Sequence, residues 1–178
     1  MNHRPIRRRD RAVDDDAWIA AFLKRAPVGT LSTLHEGRPH ANVNLFVFDE
    51  AENALYLHTA REGATRASIE SDPRVCFSAH EMGRLLPAEM AVNFSVEFAG
   101  VVAFGRAEVV RDARSARRAL ELLMAKYAPH LELGRDYGGV RDRDLARTTV
   151  LRVAIESWSG KKKEVAPDFP GAYAYRET

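Results

Sequence analysis

The stretch LYLHTAREGATRASIE, residues 55–70, gathers more reactive chemistry than any other part of the chain. A strand-like run ends at His58, a short turn follows, and a helix-like run opens near Arg61. The first N–H groups of a helix lack intrahelical partners and carry partial positive charge, so helix starts attract anions. Arg61 and Arg66 add two guanidinium groups there, Thr65 adds a hydroxyl, and Gly63 lets a ligand approach the backbone. These residues form a candidate phosphate cradle. His58, at the strand end, is the candidate catalytic imidazole; the alternative reading is a structural histidine.

Other chemistry is thin. The chain has no G-x-S-x-G, no H-E-x-x-H, no Walker loop and no G-x-G-x-x-G. The six histidines form no close pair on one element, and His35 and His40 only flank a turn, so no metal site is expected. The single cysteine, Cys76, excludes an intramolecular disulfide and a Cys-rich zinc site, and reads as an inert thiol in an apolar strand. Arg4, Arg7, Arg8, Arg9 and Arg11 crowd the start, and Lys161, Lys162 and Lys163 sit near the end. Each cluster reads either as a solvated segment or as part of the grip on an anionic ligand. A net charge of +2 is too small to argue for nucleic acid.

The elements that must position these residues alternate between strand and helix patterns. The 178 residues, 46% hydrophobic and 29% charged, suit one globular domain with one core. The start, MNHRPIRRRDRAVDDD, lacks the apolar core of a secretory signal, and no run reaches the roughly 20 apolar residues of a membrane helix. A cytoplasmic protein that neither enters a membrane nor binds nucleic acid is expected. We expect an extended, mobile basic arm over 1–13, the domain over 14–165 and a tail over 166–178. Asp14 to Asp16 start a helix over 15–26, which Pro27 and Gly29 stop. VGTLSTL and HANVNLFVF read as a hairpin around Glu36–Pro39, and ALYLHTA as a third strand. A helix over 61–71, a strand over 74–79 and a loop with a helical turn through 80–94 follow. Residues 95–110 form a long β run in which Gly100 and Gly105 suggest bulges. Asp112 caps a helix over 113–127, a loop spans 128–144, and TTVLRVAIESW is the last strand. Strands joined mostly by hairpins suit a small antiparallel barrel with helices outside it.

Four segments in order carry a family resemblance: VGTLSTLHEGRPHANVNLFVF, LYLHTAREGATRASIESDPRVCF, FSVEFAGVVAFGRAEVV and LARTTVLRVAIESWSGKKKE. Over about residues 17–164 the chain resembles the pyridoxamine 5′-phosphate oxidase-like FMN-binding split barrels, in the branch that includes the nitroimidazole-resistance (Nim-type) proteins. The resemblance implies a mainly β fold, a six-stranded antiparallel split β-barrel with flanking helices. It implies a homodimer with FMN in a groove at each end of the interface, acting as an FMN-dependent oxidoreductase on a small molecule. Ser32, Thr33, Asn42 and Asn44 would meet the flavin ring. His58, Thr59 and Ala60 would line the floor near the ribityl chain, and Gly63, Thr65 and Arg66 would hold the phosphate. Trp158 and Lys161 match a tryptophan and a following basic residue near the flavin. The alternatives are a Nim-type nitroimidazole reductase, a non-catalytic flavin-binding or storage protein, or a barrel holding a deazaflavin (F420) or haem. Two departures stand out. Many members carry Lys or Arg at the position of Thr65, and here the charge falls on Arg66. WSGKKKE lacks the Arg and His with which true pyridoxamine 5′-phosphate oxidases grip substrate, which argues against vitamin B6 oxidation.

Overall fold

A computed structural model describes residues 6–175; His3 and Arg4 of the basic arm lie outside the described residues. After a single 3-10 turn at Arg9–Arg11 the chain forms β1 (Ala12–Val13), α1 (Asp16–Arg25), β2 (Gly29–His35), β3 (Arg38–Asn44), β4 (Phe46–Asp49) and β5 (Ala54–Ala60). It continues through α2 (Ala64–Ser71), β6 (Arg74–Leu86), β7 (Ser95–Val109), α3 (Ala113–Tyr127), α4 (Asp142–Leu145), β8 (Thr148–Lys163) and β9 (Tyr173–Ala174).

Every strand pairing is antiparallel, and the main path runs β3-β2-β6-β7-β8-β5-β4. The two ends of that path, β3 and β4, are consecutive segments separated only by Leu45. Counted as one interrupted strand, they join the ends of the path and give a six-stranded barrel split at Leu45. The β4–β5 register ends at Phe46 opposite Leu57, so beyond Leu57 strand β5 is paired with β8 alone. The wall therefore has a gap beside His58, Thr59 and Ala60.

Alternation sorts the side chains. Leu31, Leu55, Leu57, Phe77, Val101, Leu151 and Val153 fill the barrel, closed at one side by Phe22 and Leu23 of α1 and at another by Ile69 of α2. Residues of opposite parity on β4, β5 and β8, namely Val47, Ala54, Tyr56 and Val150, meet Ala116, Ala119 and Leu123 of α3 outside it. The starts of α1 and α3 are capped locally: Asp15 Oδ1 accepts from the N–H groups of Ala17 (2.9 Å) and Trp18 (3.2 Å), and Asp112 Oδ2 from that of Ser115 (2.8 Å).

The end of α3 holds the split. Lys126 Nζ donates to the carbonyls of Ala26 (2.8 Å), Phe46 (2.9 Å) and Leu23 (3.4 Å), and lies 3.8 Å from the Phe46 ring centre. The Tyr127 hydroxyl accepts from the Phe46 N–H (3.0 Å) and lies within donating distance of the Pro27 (2.8 Å) and Phe46 (2.9 Å) carbonyls. The last carbonyls of α1 and the first peptide of β4 thus share partners on one helix. A second hub fixes the tail. Arg84 grips Glu97 and donates to the carbonyls of Val165, Ala166 and Pro167, and beyond it β9 pairs with β6.

The expected barrel, the helices over 113–127 and near 15–26, and the strand ALYLHTA are present. Five details differ. Residues 12–13, expected as mobile arm, pair with Lys161 and Gly160 of β8. Residues 80–86, expected as loop, continue β6, because β7 runs long enough to pair them across a bulge between Met82 and Leu85. Gly100 sits in unbroken register, whereas the bulge expected at Gly105 is real: a Cβ there would stand 2.0 Å from the Ala154 carbonyl oxygen. Residues 142–145, expected as loop, form α4, and the last strand runs on through the lysine cluster to Lys163.

Lys126→Met should cost about 2 kcal/mol, because bonds from a charged donor to buried carbonyls are lost, and should lower the melting midpoint by roughly 4–8 °C. Burial holds the Lys126 ammonium down to about 8. An unfolded lysine titrates near 10.4, so between these values the unfolded chain binds the extra proton. Raising the pH from about 8 to 10 should therefore stabilise the native protein relative to the Met variant. Denaturant titrations of both proteins across this range check the sign.

Candidate functional site at the barrel mouth

β2 and β3 lay one polar face against α2. In their register Thr33 stands opposite His40, Leu31 opposite Asn42 and Gly29 opposite Asn44, so these side chains share a face. His40 Nε2 lies 3.3 Å from Thr65 Oγ1, and Asn42 Nδ2 lies 3.5 Å from the same oxygen. Asn44 donates to the Asn42 carbonyl (2.8 Å), which fixes the neighbouring amides. His35 meets Ser68 one turn further along α2 (3.2 Å). Thr33 is 5% exposed, and its hydroxyl is the one buried side-chain polar atom without a partner among the described residues. A buried, unpaired hydroxyl costs free energy, so in this polar face it is a donor and acceptor still open to a partner.

The start of α2 adjoins this face. Its N-cap is Gly63 at φ +139°, a conformation that side-chain-bearing residues rarely adopt, and no side chain caps the first turn. Thr65 turns inward and is buried, whereas Arg66 leaves from another side of the helix. The Arg66 guanidinium bonds Glu70 Oε1 (3.0 and 3.1 Å) and the Arg61 carbonyl (2.9 Å). Arg61 donates to the Ala146 carbonyl (2.9 Å). Both line a cavity of about 250 Å³ together with Arg111, Thr148, Thr149 and the start of α3, and no carboxylate lines it. Arg111 has no hydrogen-bond or ion-pair partner among the described residues. Three guanidinium groups around a small cavity, of which Arg66 is paired with Glu70, leave a net positive, anion-attracting place.

Thr33, Asn42, Asn44, Thr65 and, by alternation with Leu55 and Leu57, Thr59 share the mouth. Ser32 points to the opposite face of β2, with Ala41 and Cys76 as its strand partners. His58 and Ala60 take the parity of Tyr56 and face the α3 side of β5. Trp158 lies on the α1 side, donating to Asp16 Oδ1 (2.7 Å) and packing edge-on to Phe48. Lys161 is exposed between β1 and β7. A single chain therefore does not bring Ser32, His58, Ala60, Trp158 or Lys161 to the mouth. Sequence reasoning passed over His40, though the period-2 pattern of His40, Asn42 and Asn44 puts it on their face. It also passed over Arg111, which nothing local distinguishes from a solvated residue before a helix cap. Burial pushes the Cys76 thiol up, in keeping with an inert role. Among the described residues no group of three or more His, Cys, Asp or Glu side chains could hold a metal, and no helix is long and apolar enough to cross a membrane.

The sequence pattern of the pyridoxamine 5′-phosphate oxidase family matches residues 15–162. The chain belongs to this family. No curated protein matches the sequence. Solved structures similar in fold include a candidate 5-nitroimidazole antibiotic resistance protein from Bacteroides thetaiotaomicron, 20% identical, with a TM-score of 0.71 over 85% of this chain and 86% of that one. The flavocytochrome Anf3 from Azotobacter vinelandii is 21% identical, with a TM-score of 0.79 over 97% of this chain and 83% of that one. An FAD- and haem-binding protein from Mycobacterium smegmatis is 21% identical, with a TM-score of 0.77 over 89% and 76%. At these identities the likeness speaks for the split-barrel fold that the family shares with this chain.

Thr33→Val keeps the side-chain shape and removes the unpaired hydroxyl. It should raise the melting midpoint of the ligand-free protein, by about 1 kcal/mol in stability, while weakening any ligand that bonds this hydroxyl. A lowered midpoint would mean that the hydroxyl already has a protein partner.

Proposed function

We propose that the chain is an FMN-dependent oxidoreductase that works as a cytoplasmic homodimer on a small-molecule substrate. The observation that carries this reading is the pairing of a neutral polar mouth, with its orphaned Thr33 hydroxyl, and an arginine-lined cavity at the same helix start. A flavin mononucleotide needs both kinds of surface: neutral donors and acceptors for its ring and charge for its phosphate. The residues present therefore fit the group. Thr33, Asn42 and Asn44 would bond the ring edge. The open first-turn N–H groups after Gly63 and the side chains of Thr65 and Arg66 would hold the phosphate, with Arg61 and Arg111 supplying further charge. FMN, when bound, supplies the electron and hydride transfer; this chain's residues orient it and shape the space above it.

The homodimer rests on the outer face of β3. Val43 is 67% exposed, Leu45 two residues on is more than 40% exposed, and so is Leu34 of β2, whose strand partner is Pro39 at the other end of β3. An apolar sheet face of this kind is what a second copy would cover. A second copy would also supply what one chain leaves distant, Trp158 and Lys161. His58, whose imidazole has no hydrogen-bond partner among the described residues, supports a narrower reading in which a nitroaromatic compound is the electron acceptor, as in Nim-type proteins. A non-catalytic flavin store is the remaining alternative and would show negligible turnover with every acceptor.

The absorption spectrum of the purified protein, with FMN titration if it is colourless, tests the cofactor. A haem or deazaflavin spectrum, or failure to take up FMN, overturns the reading. Arg66→Ala should weaken FMN binding ten- to a hundredfold, the scale of about 1.5–3 kcal/mol for a charge-assisted bond. Val43→Asp should yield a monomer in sedimentation that retains FMN poorly; an unchanged dimer would place the interface elsewhere.

A further inference from the structure

Strands β6 and β7 run on past the barrel as a hairpin whose last rung is Leu86 opposite Ser95. Residues 87–94 form its tip around a single 3-10 turn, Ala91–Asn93. Met90, Val92 and Phe94 stand exposed on this tip, Val92 at 87%. β9 lies along the same end: Tyr173 stands opposite Leu85, and Tyr173 and Tyr175 are both exposed. Apolar groups scattered singly over a surface need no explanation, but a set gathered at one end marks a contact surface. The two basic clusters, far apart in the sequence, meet behind this end. β1 pairs with β8 at Lys161 and Gly160, and the turn Arg9–Arg11 packs against β8. The Arg11 guanidinium lies 5.8 Å from the Phe98 ring centre, and Lys163, opposite Phe98, donates to Ser95 Oγ (2.6 Å). Asp10, Glu97 and Glu164 are held by Arg8, Arg84 and Lys162. Glu89 and Asp168 have no ion-pair partner among the described residues, and Arg7, Arg9, Arg11 and Lys163 exceed them.

We propose that this end docks on an anionic phospholipid bilayer. Met90, Val92 and Phe94 enter the acyl boundary, Tyr173 and Tyr175 sit at headgroup level, and the arginines with Lys163 meet the lipid phosphates. No helix among the described residues could span a membrane, so the contact is peripheral, and it does not depend on the flavin reading. The polarity of this end is graded along the strands. Apolar tips come first, tyrosines lie beside the last rungs, and cations follow at the level of Phe98, which is ~13 Å behind Phe94 at about 3.3 Å per residue. A bilayer has the same order, with hydrocarbon, an interface that favours tyrosine, and charge, and long cationic side chains reach toward it along their stems. Each cation near an anionic surface strengthens binding about fivefold, and a short apolar tip adds what charge alone does not hold against salt. Glu89 keeps the insertion shallow. A second copy is the poorer fit, because its exposed apolar strand, β3, contains no carboxylate to meet these cations.

The test uses the full chain as purified, sedimented with vesicles of phosphatidylcholine alone or with about 30 mol% phosphatidylserine. Partition into the mixed vesicles should exceed that into phosphatidylcholine at least tenfold, and should fall as salt rises from about 0.1 to about 0.5 M. Val92→Asp changes a side chain that nothing covers, so the melting midpoint should stay while partition drops at least tenfold. Arg7→Gln with Arg9→Gln should weaken partition about tenfold or more through charge alone. Val92→Trp should be quenched by brominated acyl chains of mixed vesicles beyond the level that Trp18 and Trp158 give in the native protein. No partition, equal partition into the two vesicles, or partition untouched by Val92→Asp overturns the proposal. So does a smaller particle for Val92→Asp in sedimentation velocity, which would assign the tip to a second copy.

Discussion

The bonds from Lys126 and Tyr127 to the backbone at Phe46 are the constraint on which the rest depends. A strand that changes partners must leave its old ladder and enter a new one, and at the change its peptide groups lose strand partners. Here the change occurs at Leu45, and the Phe46 N–H and carbonyl are taken up by the Tyr127 hydroxyl and the Lys126 ammonium. The same ammonium takes the last carbonyls of α1, groups that any helix end leaves unpaired. One pair of residues on α3 therefore lets the barrel be split and docks both helices that flank the split. Without it, Leu45 would be a break with two orphaned peptide groups, and β5 would gain no protected gap beside His58.

That gap organises the chemistry. The end of β5 is paired on one edge only, so successive residues His58 and Thr59 present to two different spaces. Thr59 belongs to the polar mouth with Thr33, Asn42, Asn44 and Thr65. His58 belongs to an apolar cavity under the end of α3. The start of β8, opposite these residues, contributes Thr148 and Thr149 to the arginine cavity. Three environments, one neutral and polar, one cationic and one apolar, meet within a few residues on two paired strands.

Much of this was legible in the sequence, for identifiable reasons. The helix after β5 follows from local composition, although the sequence opens it near Arg61 and the structure only at Ala64, after Gly63; the barrel follows from hairpin spacing with a bulge at Gly105. What escaped depends on contacts distant in the chain. The extension of β6 through residues 80–86 is imposed by the length of β7, since the segment HEMGRLL has no clear strand pattern of its own. β1 and β9 are strands only because β8 and β6 offer them free edges. Lys126 looks like one more charged residue at the end of a helix, and only the fold brings three carbonyls to it. Ser32 and Thr33 look equivalent as small polar β-formers, yet alternation must send one into the mouth and the other away from it.

The same alternation of direction explains the departure at Thr65. Successive helix residues point about 100° apart. Position 65 faces His40 and Asn42 in the mouth, and position 66 faces Arg61 and Arg111 outside it. Moving the positive charge from 65 to 66 therefore turns it about 100° around the helix, out of the mouth. The mouth is left lined by a threonine hydroxyl, two carboxamides and an imidazole already engaged with Thr65, and positive charge gathers in the adjoining cavity. Glu70 partly neutralises that cavity by holding Arg66, while Arg111 stays without a partner among the described residues. Crowding three guanidinium groups against one carboxylate costs stability through their mutual repulsion, a cost that a bound anion would relieve. The chain thus keeps two unsatisfied features on either side of one helix turn, a buried hydroxyl and an excess of positive charge, which a ligand with a polar neutral part and an anionic part would satisfy together.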